Sequence, residues 1–216
     1  MSSVPKGKRK ESSFEAQHNL VILRHEMTKF LLTHFGFSQE KYDKRIEKAT
    51  RAFGGNEQAI KRFKERYKEY TAWFLEKEGD IIFDLLHSIT KHFTIANSIY
   101  PSNTIALAEE YCQRRKYMNL AIGDCYTLRQ ELQYTITVLP VDINKFEGLS
   151  NAIEKEIALI KGVRKADKRF LKPKKHRPPD IDAWENSPAI KESKIMAMIE
   201  DIEDEQKDNL DFSRVG

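Results

Sequence analysis

Proline placement constrains this chain more than any other feature. Between Ser12 and Phe170 the only prolines are Pro101 and Pro140. A proline inside a helix removes a backbone hydrogen bond and clashes with the preceding turn. These two residues therefore divide the span into three long stretches that are free to run helical. Within them apolar residues recur at steps of three and four, the spacing that lines one helix face.

Ser12 and Glu15 have capping-box spacing and open a first helix, whose stripe is Leu20, Leu23, Met27, Phe30, Leu31 and His34. Gly36 is suited to the left-handed conformation that ends it. Ser38 caps a charged, weakly amphipathic segment over 39–53, with Phe37 and Tyr42 placed as a hydrophobic staple. After "FGGNE" a longer helix starts near Glu57 and carries Ile60, Phe63, Tyr67, Tyr70, Phe74, Ile81, Leu85, Ile89 and Phe93, with Gly79 inside it. "NSIYPSN" is a turn, because Pro101 disfavours helix at Tyr100. A helix over 103–138 follows, with Tyr111, Met118, Ile122, Cys125, Leu128, Leu132, Ile136 and Leu139 as its stripe. Asp142 caps the last helix, with Val141 and Phe146 as a staple and Phe146, Leu149, Ile153, Ile157, Ile160 and Val163 on its apolar face.

Four long amphipathic helices joined by short turns predict an all-α, up-down-up-down four-helix bundle over 12–170, since short connections make neighbours antiparallel. A basic disordered arm, 1–11, precedes it. A flexible tail, 171–216, follows, basic first and then acidic, with a short helix expected over 190–205. The aromatic stripe of Phe63, Tyr67, Tyr70, Trp73 and Phe74 is wider than a narrow helix seam, which predicts a homo-oligomer.

Charge is distributed unevenly. The net charge is only +4, but Lys161 to Arg177 holds nine basic residues against Asp167 alone. The arm adds Lys6, Lys8, Arg9 and Lys10, and the sign reverses after Pro178 through residues such as Asp180, Asp182, Glu185 and Asp201. Such a tail is expected to compete with phosphates for the neighbouring basic segment. Cys112 and Cys125 fall on one helix, roughly 20 Å apart at 1.5 Å per residue, too far for a disulfide. They read as small hydrophobes of a reducing compartment. No uncharged apolar run approaches the length of a membrane span, and no apolar core follows the basic N-terminus, so a cytoplasmic protein is expected.

Chemical motifs are few. "FGGNE" lacks the spacing and the lysine of a phosphate-binding loop. His87 and His92 are five apart, which does not align two ligands on one helix face, and His18, His25 and His34 lack a third partner, so no metal is expected. No catalytic residues and no cofactor are assigned. Lys161, Arg164, Lys165 and Lys168 group on one side of the last helix, where the apolar stripe turns basic after Ile160. Unpaired charges there cannot be buried cheaply, so this helix end is expected to protrude or line a wet groove. With Arg169, Lys172, Lys174 and Lys175 it forms a phosphate-binding candidate. Arg114, Arg115 and Lys116 form a second, and Lys61, Arg62, Lys64, Arg66 and Lys68 a third.

The stretches "MSSVPKGKRKES", "FEAQHNLVILRHEMTKFLL", "NSIYPSN" and "QELQYTITVLPVDINKFEGLSNAIEKEIALIKGVRKADKRFLKP" resemble bacterial proteins of a four-helix-bundle family. That family joins the proteins encoded in ribosomal RNA intervening sequences with the accessory variability proteins of diversity-generating retroelements. The resemblance covers about residues 1–175. It implies a five-subunit barrel with a positive surface that binds a reverse transcriptase and its template RNA during complementary-DNA synthesis. It brings no catalytic motif. Lys161, Arg164, Lys165, Lys168 and Arg169 match its nucleic-acid surface. The expectation is a non-enzymatic accessory protein that binds RNA or an RNA–DNA hybrid, with a reverse transcriptase as partner and a pentamer as assembly. One rival is a protein-interaction or phage-associated bundle without nucleic acid. Another is an RNA-processing enzyme using Arg169 and His176.

Overall fold

The computed structural model describes residues 13–101 and 106–171, together with Pro188, Lys191, Glu192, Lys194 and Ile195. Ser12, the basic arm, Lys172, Lys174, Lys175, His176, most of the acidic tail and most of the segment expected to be helical over 190–205 lie outside the described residues. What is described is helical, without β-strands. Five α-helices run in order: α1 (Ser13–Leu32), α2 (Gln39–Thr50), α3 (Glu57–Ser98), α4 (Leu107–Val138) and α5 (Asn144–Ala166). The charged segment after Ser38 is thus a helix of its own, with Ser38 Oγ accepting from the Lys41 backbone N–H at 3.4 Å. Phe37 and Tyr42 pack as the staple, ring centroids 5.5 Å apart.

The four long helices pack in a ring. α3 lies against α4, α4 against α5, α5 against α1 and α1 against α3, while α2 packs on α3. Side-chain pairs give the directions. Phe74 meets Tyr134 and Ser88 meets Asp124, so α3 and α4 are antiparallel. Asn19 meets Glu156 and Phe30 meets Phe146, so α1 and α5 are antiparallel. The core between them is formed by Leu20, Leu23, Met27, Ile82, Leu86, Ile89, Phe93, Met118, Cys125, Leu128, Ile153 and Ile160 among others.

The turn after α1 uses more left-handed backbone than Gly36 alone. His34 and Phe35 also have positive φ, at 49° and 59°. That conformation costs roughly 1–2 kcal/mol for a residue with a side chain. Burial of the Phe35 ring against Phe30, centroids 5.9 Å apart, opposes the cost. Gly36 itself has φ +65°, and a Cβ there would meet only the outer atoms of the exposed Lys145 side chain, which can move aside. This turn is clasped to the α4–α5 turn. Ser38 N–H donates to the Pro140 carbonyl at 3.0 Å, and Phe37 forms an isolated bridge with Val141. Lys41 Nζ and Arg45 Nη1 donate to the Val141 and Val138 carbonyls, placing positive charge at the C-terminus of α4.

Three local expectations are corrected. Asp142 does not cap α5 at its second or third N–H; its Oδ1 accepts from Asn144 N–H at 3.3 Å, two residues on. The α3 core face runs through Phe74, Glu78, Ile82, Leu86, Ile89 and Phe93, leaving Ile81 exposed and Leu85 half-buried. A strict apolar stripe steps over Glu78, although the helical repeat places that position inward. Lastly, Phe74 is buried and Phe63 and Tyr67 are half-buried, so a single chain covers most of the wide aromatic stripe. Tyr42 of α2 packs on Tyr67 at 5.3 Å, Phe53 of the short turn after α2 packs on Phe63 at 5.6 Å, and Tyr134 of α4 packs on Phe74 at 5.7 Å.

Candidate nucleic-acid interface

Three groups of basic residues stand out in the sequence, and the structure separates them by burial. Arg114, Arg115 and Arg164 are inside, each no more than 6% exposed. Their expected place on an exposed basic surface is therefore corrected. Arg114 Nε donates to Asp167 Oδ2 at 2.5 Å, while Nη1 donates to the Ala96 and Ile99 carbonyls at the end of α3. Arg115 Nη1 donates to Tyr111 Oη at 3.0 Å and to the Arg164 carbonyl at 3.4 Å. Arg164 Nη1 donates to Asn119 Oδ1 at 2.5 Å. The guanidinium presents several donors in a fixed fork, and here acceptors from three helices and the short turn after α5 meet them. The basic end of α5 thus need not protrude, because partners offset the cost of burying its charge.

Other members of those groups remain outside. Lys116, Lys165 and Arg169 are exposed, and Lys161 and Lys168 are half-buried. Arg169 lies over the Phe170 ring at 5.0 Å, and Arg114 approaches the same ring at 5.9 Å. Tyr117 and Tyr126 are half-buried against the core, with Arg129 over Tyr126 at 5.6 Å.

The third group is the most open. α3 has 42 residues and α4 has 32. Because Phe74 packs beside Tyr134 near the end of α4, the first four turns of α3 extend past α4 by roughly 20 Å. Lys61, Arg62, Lys64, Arg66 and Lys68 all lie on this overhang and are exposed. Among the described residues none of them makes an ion pair. They divide by side. Lys64 and Lys68 line an open cleft of about 500 Å³ against α2, together with Tyr42, Asp43, Ile46, Glu47, Thr50 and Glu65. At 100° per residue, Arg62 and Arg66 share a different arc, of about 80°, with Tyr70 and Trp73. The spacing of these four was legible in the sequence, whereas their exposure was not.

Several polar groups are interior against expectation or without having been singled out; the acid pair Glu76/Glu78 reads in the sequence as a solvated helix face, which is corrected for Glu78. Glu78 is buried between α3 and α4, where burial and the neighbouring Glu131 carboxylate push it up to about 7, against a lowering by Thr135. Glu156 is fully buried and accepts from Asn19 Nδ2 at 2.7 Å; burial pushes it, too, up to about 7. One oxygen of each has no hydrogen-bond partner among the described residues. Burial likewise raises Asp167 despite Arg114 beside it. Between α3 and α4, Ser88 Oγ donates to Asp124 Oδ2 at 2.7 Å, and His92 Nδ1 lies 2.8 Å from that same oxygen.

Among the described residues there is no group of three or more His, Cys, Asp or Glu placed to hold a metal. Among them, too, no helix is long and apolar enough to cross a membrane. His176 falls outside the described residues, so the Arg169–His176 pair has no geometry here. No family model matches the chain, and no curated protein or solved structure matches it.

Proposed function

We propose that this chain is a non-enzymatic, cytoplasmic nucleic-acid-binding accessory protein, built as an up-down-up-down four-helix bundle with α2 inserted between the first two long helices. It binds RNA or an RNA–DNA hybrid through phosphate contacts and serves a reverse transcriptase working on that template. The observation that carries the reading is the α3 overhang, where five cationic side chains are exposed and make no ion pair among the described residues. Each phosphate they neutralise releases counterions, which favours binding at low salt. Lys116, Lys165 and Arg169 are further exposed cations near the other end of the bundle.

The Ser88–His92–Asp124 group does not have the layout of a serine relay. In a serine relay one histidine nitrogen faces the hydroxyl and the other faces the carboxylate. Here Nδ1 faces both, at 3.4 Å and 2.8 Å, so the ring passes no proton between them, and the cluster ties α3 to α4.

The homo-oligomer is assigned to α1. Phe14, His18, Val21, His25 and Leu32 follow steps of four, three, four and seven, the spacing of a helix–helix seam. They lie opposite the core face of Leu20, Leu23, Met27 and Phe30. Phe14 is 78% exposed and Leu32 77%. The same face would serve a second reading, a bundle that docks another protein and binds no nucleic acid.

Titration of the full chain with single-stranded RNA at several salt concentrations separates the two. Accessory-protein binding weakens steeply as salt rises. Absence of binding at low salt, together with no retention on heparin, leaves only the protein-docking reading.

A further inference from the structure

Two of the five overhang cations sit on the side of α3 that α2 does not cover. Arg62, Arg66 and Tyr70 are spaced by four, and Trp73 follows three residues later. Arg62 to Trp73 spans eleven residues, roughly 16 Å of helix. Tyr70 is 49% exposed and Trp73 52%, which is large for aromatic rings in a folded chain. Their centroids are 5.5 Å apart with planes tilted by 36°. Tyr70 is braced from below by Phe74, at 6.3 Å, and Phe74 is buried. Tyr70 is thus backed by the core and Trp73 by Tyr70, and both side chains remain about half exposed. Acidic residues bound the site: Glu65 and Glu69 on one flank, Asp80 and Asp84 further along the same side. Lys77, the next cation on this side, lies 3.6 Å from Asp80. Among the described residues, the cations without an ion-pair partner on this side therefore stop where the aromatic pair begins.

This order of groups matches one ligand chemistry. A single-stranded nucleic acid offers a chain of phosphates and unpaired bases with open π-faces. Arginines hold the former and aromatic rings the latter, without regard to sequence. A duplex offers phosphates, but its bases are stacked on one another and cannot reach the rings. We propose that Arg62, Arg66, Tyr70 and Trp73 form a binding site for single-stranded nucleic acid, with phosphates on the two guanidinium groups and bases stacked on the two rings. The proposal rests on the nucleic-acid role proposed above and makes it selective for unpaired strands. The positive charge at the tip favours this occupant over a second copy of the chain, whose own overhang would repel it.

Trp73 is its own reporter once the other tryptophan is replaced, as Trp184→Phe in the full chain. The probes are oligo-uridylate, oligo-deoxythymidylate, an RNA duplex of equal length, and heparin as a polyanion without bases. The expected result is quenching of Trp73 emission by both single strands and none by heparin. Trp73→Ala should weaken single-strand binding about tenfold and leave duplex binding unchanged. Arg62→Gln with Arg66→Gln should flatten the single-strand salt slope by about 1.4, two contacts at about 0.7 each. Quenching by only one of the two strand types would narrow the site to RNA or to DNA and still support it. Equal affinity for duplex and single strand with unaltered Trp73 emission would overturn the stacking site while leaving the general nucleic-acid role standing. No binding to any probe would remove both. Trp73 emission that responds to dilution of the protein and not to nucleic acid would overturn the site by showing a copy-to-copy interface.

Discussion

Arg114 on α4 holds Asp167, fifty-three residues later, through a 2.5 Å bond between Nε and Oδ2, with both side chains almost wholly buried. The same guanidinium caps the last carbonyls of α3. One side chain therefore fastens the ends of three helices. Removing one partner leaves a buried, uncompensated charge, a loss of roughly 3–5 kcal/mol. Arg114→Met should lower the melting temperature by about 10 °C, at a few degrees per kcal/mol for a chain of this size. Adding Asp167→Leu should restore part of the loss but not all, because the Ala96 and Ile99 carbonyls still lose the Arg114 donor. Calorimetry of the two variants and their double checks this; a melting temperature unchanged by Arg114→Met contradicts it.

Glu78 and Glu156 give stability an unusual pH dependence. Both are pushed up to about 7 in the folded chain from the ordinary 4.5, burial being the main cause. Between those values the folded state holds protons that the unfolded state has released. Their contribution to stability is full below about pH 4.5, falls as pH rises, and is lost above about pH 7. The Glu156 shift corresponds to roughly 3 kcal/mol at 1.36 kcal/mol per pH unit, and solvent screening makes the Glu78 contribution smaller. Glu78→Gln and Glu156→Gln cannot ionise. Each variant should gain on the parent protein between pH 5 and pH 8, read as a growing difference in denaturant midpoint. A difference that is flat with pH contradicts the assignment.

The outer face of α1 should govern assembly. Val21→Asp with Leu32→Asp places charge at two exposed positions of the seam and touches no core residue. Light scattering should show the parent chain at a multiple of its 25.3 kDa mass and the variant at one copy. The variant's melting temperature, extrapolated to low concentration, should match that of the parent. A parent chain that is monomeric at micromolar concentration removes this interface.

Neighbouring basic residues on α5 should behave differently. Arg164 is buried and bonded to Asn119, whereas Lys165 is exposed. Arg164→Gln should lower the melting temperature by several degrees and leave the salt dependence of RNA binding unaltered. Lys165→Gln should leave melting within about a degree and flatten the salt slope by about 0.7 if it contacts a phosphate. The reverse pattern would show that Arg164 reaches nucleic acid in the bound state.

Helix identity was legible because it depends on local periodicity. Every residue expected on the α5 stripe, from Phe146 through Leu149, Ile153, Ile157 and Ile160 to Val163, is buried. Apolar side chains at steps of three and four have one way to leave water together. The Ser38 cap and the Phe37–Tyr42 staple were legible for the same reason, since their partners lie within five residues.

The fate of polar residues on those faces depended on partners distant in sequence. Periodicity alone places Arg164 and Glu78 on inward-facing sides of their helices, yet their charge argues for solvent. The folded chain resolves the conflict differently at each site. Arg114 finds a carboxylate fifty-three residues away and Arg164 an amide forty-five residues away, whereas burial raises Glu78 toward its neutral form. By itself the sequence determined which stretches are helical and, for α5, which apolar side chains are buried. Only the tertiary structure decided which cations stay in solvent, because desolvation and pairing are settled by groups that other helices bring to the same place.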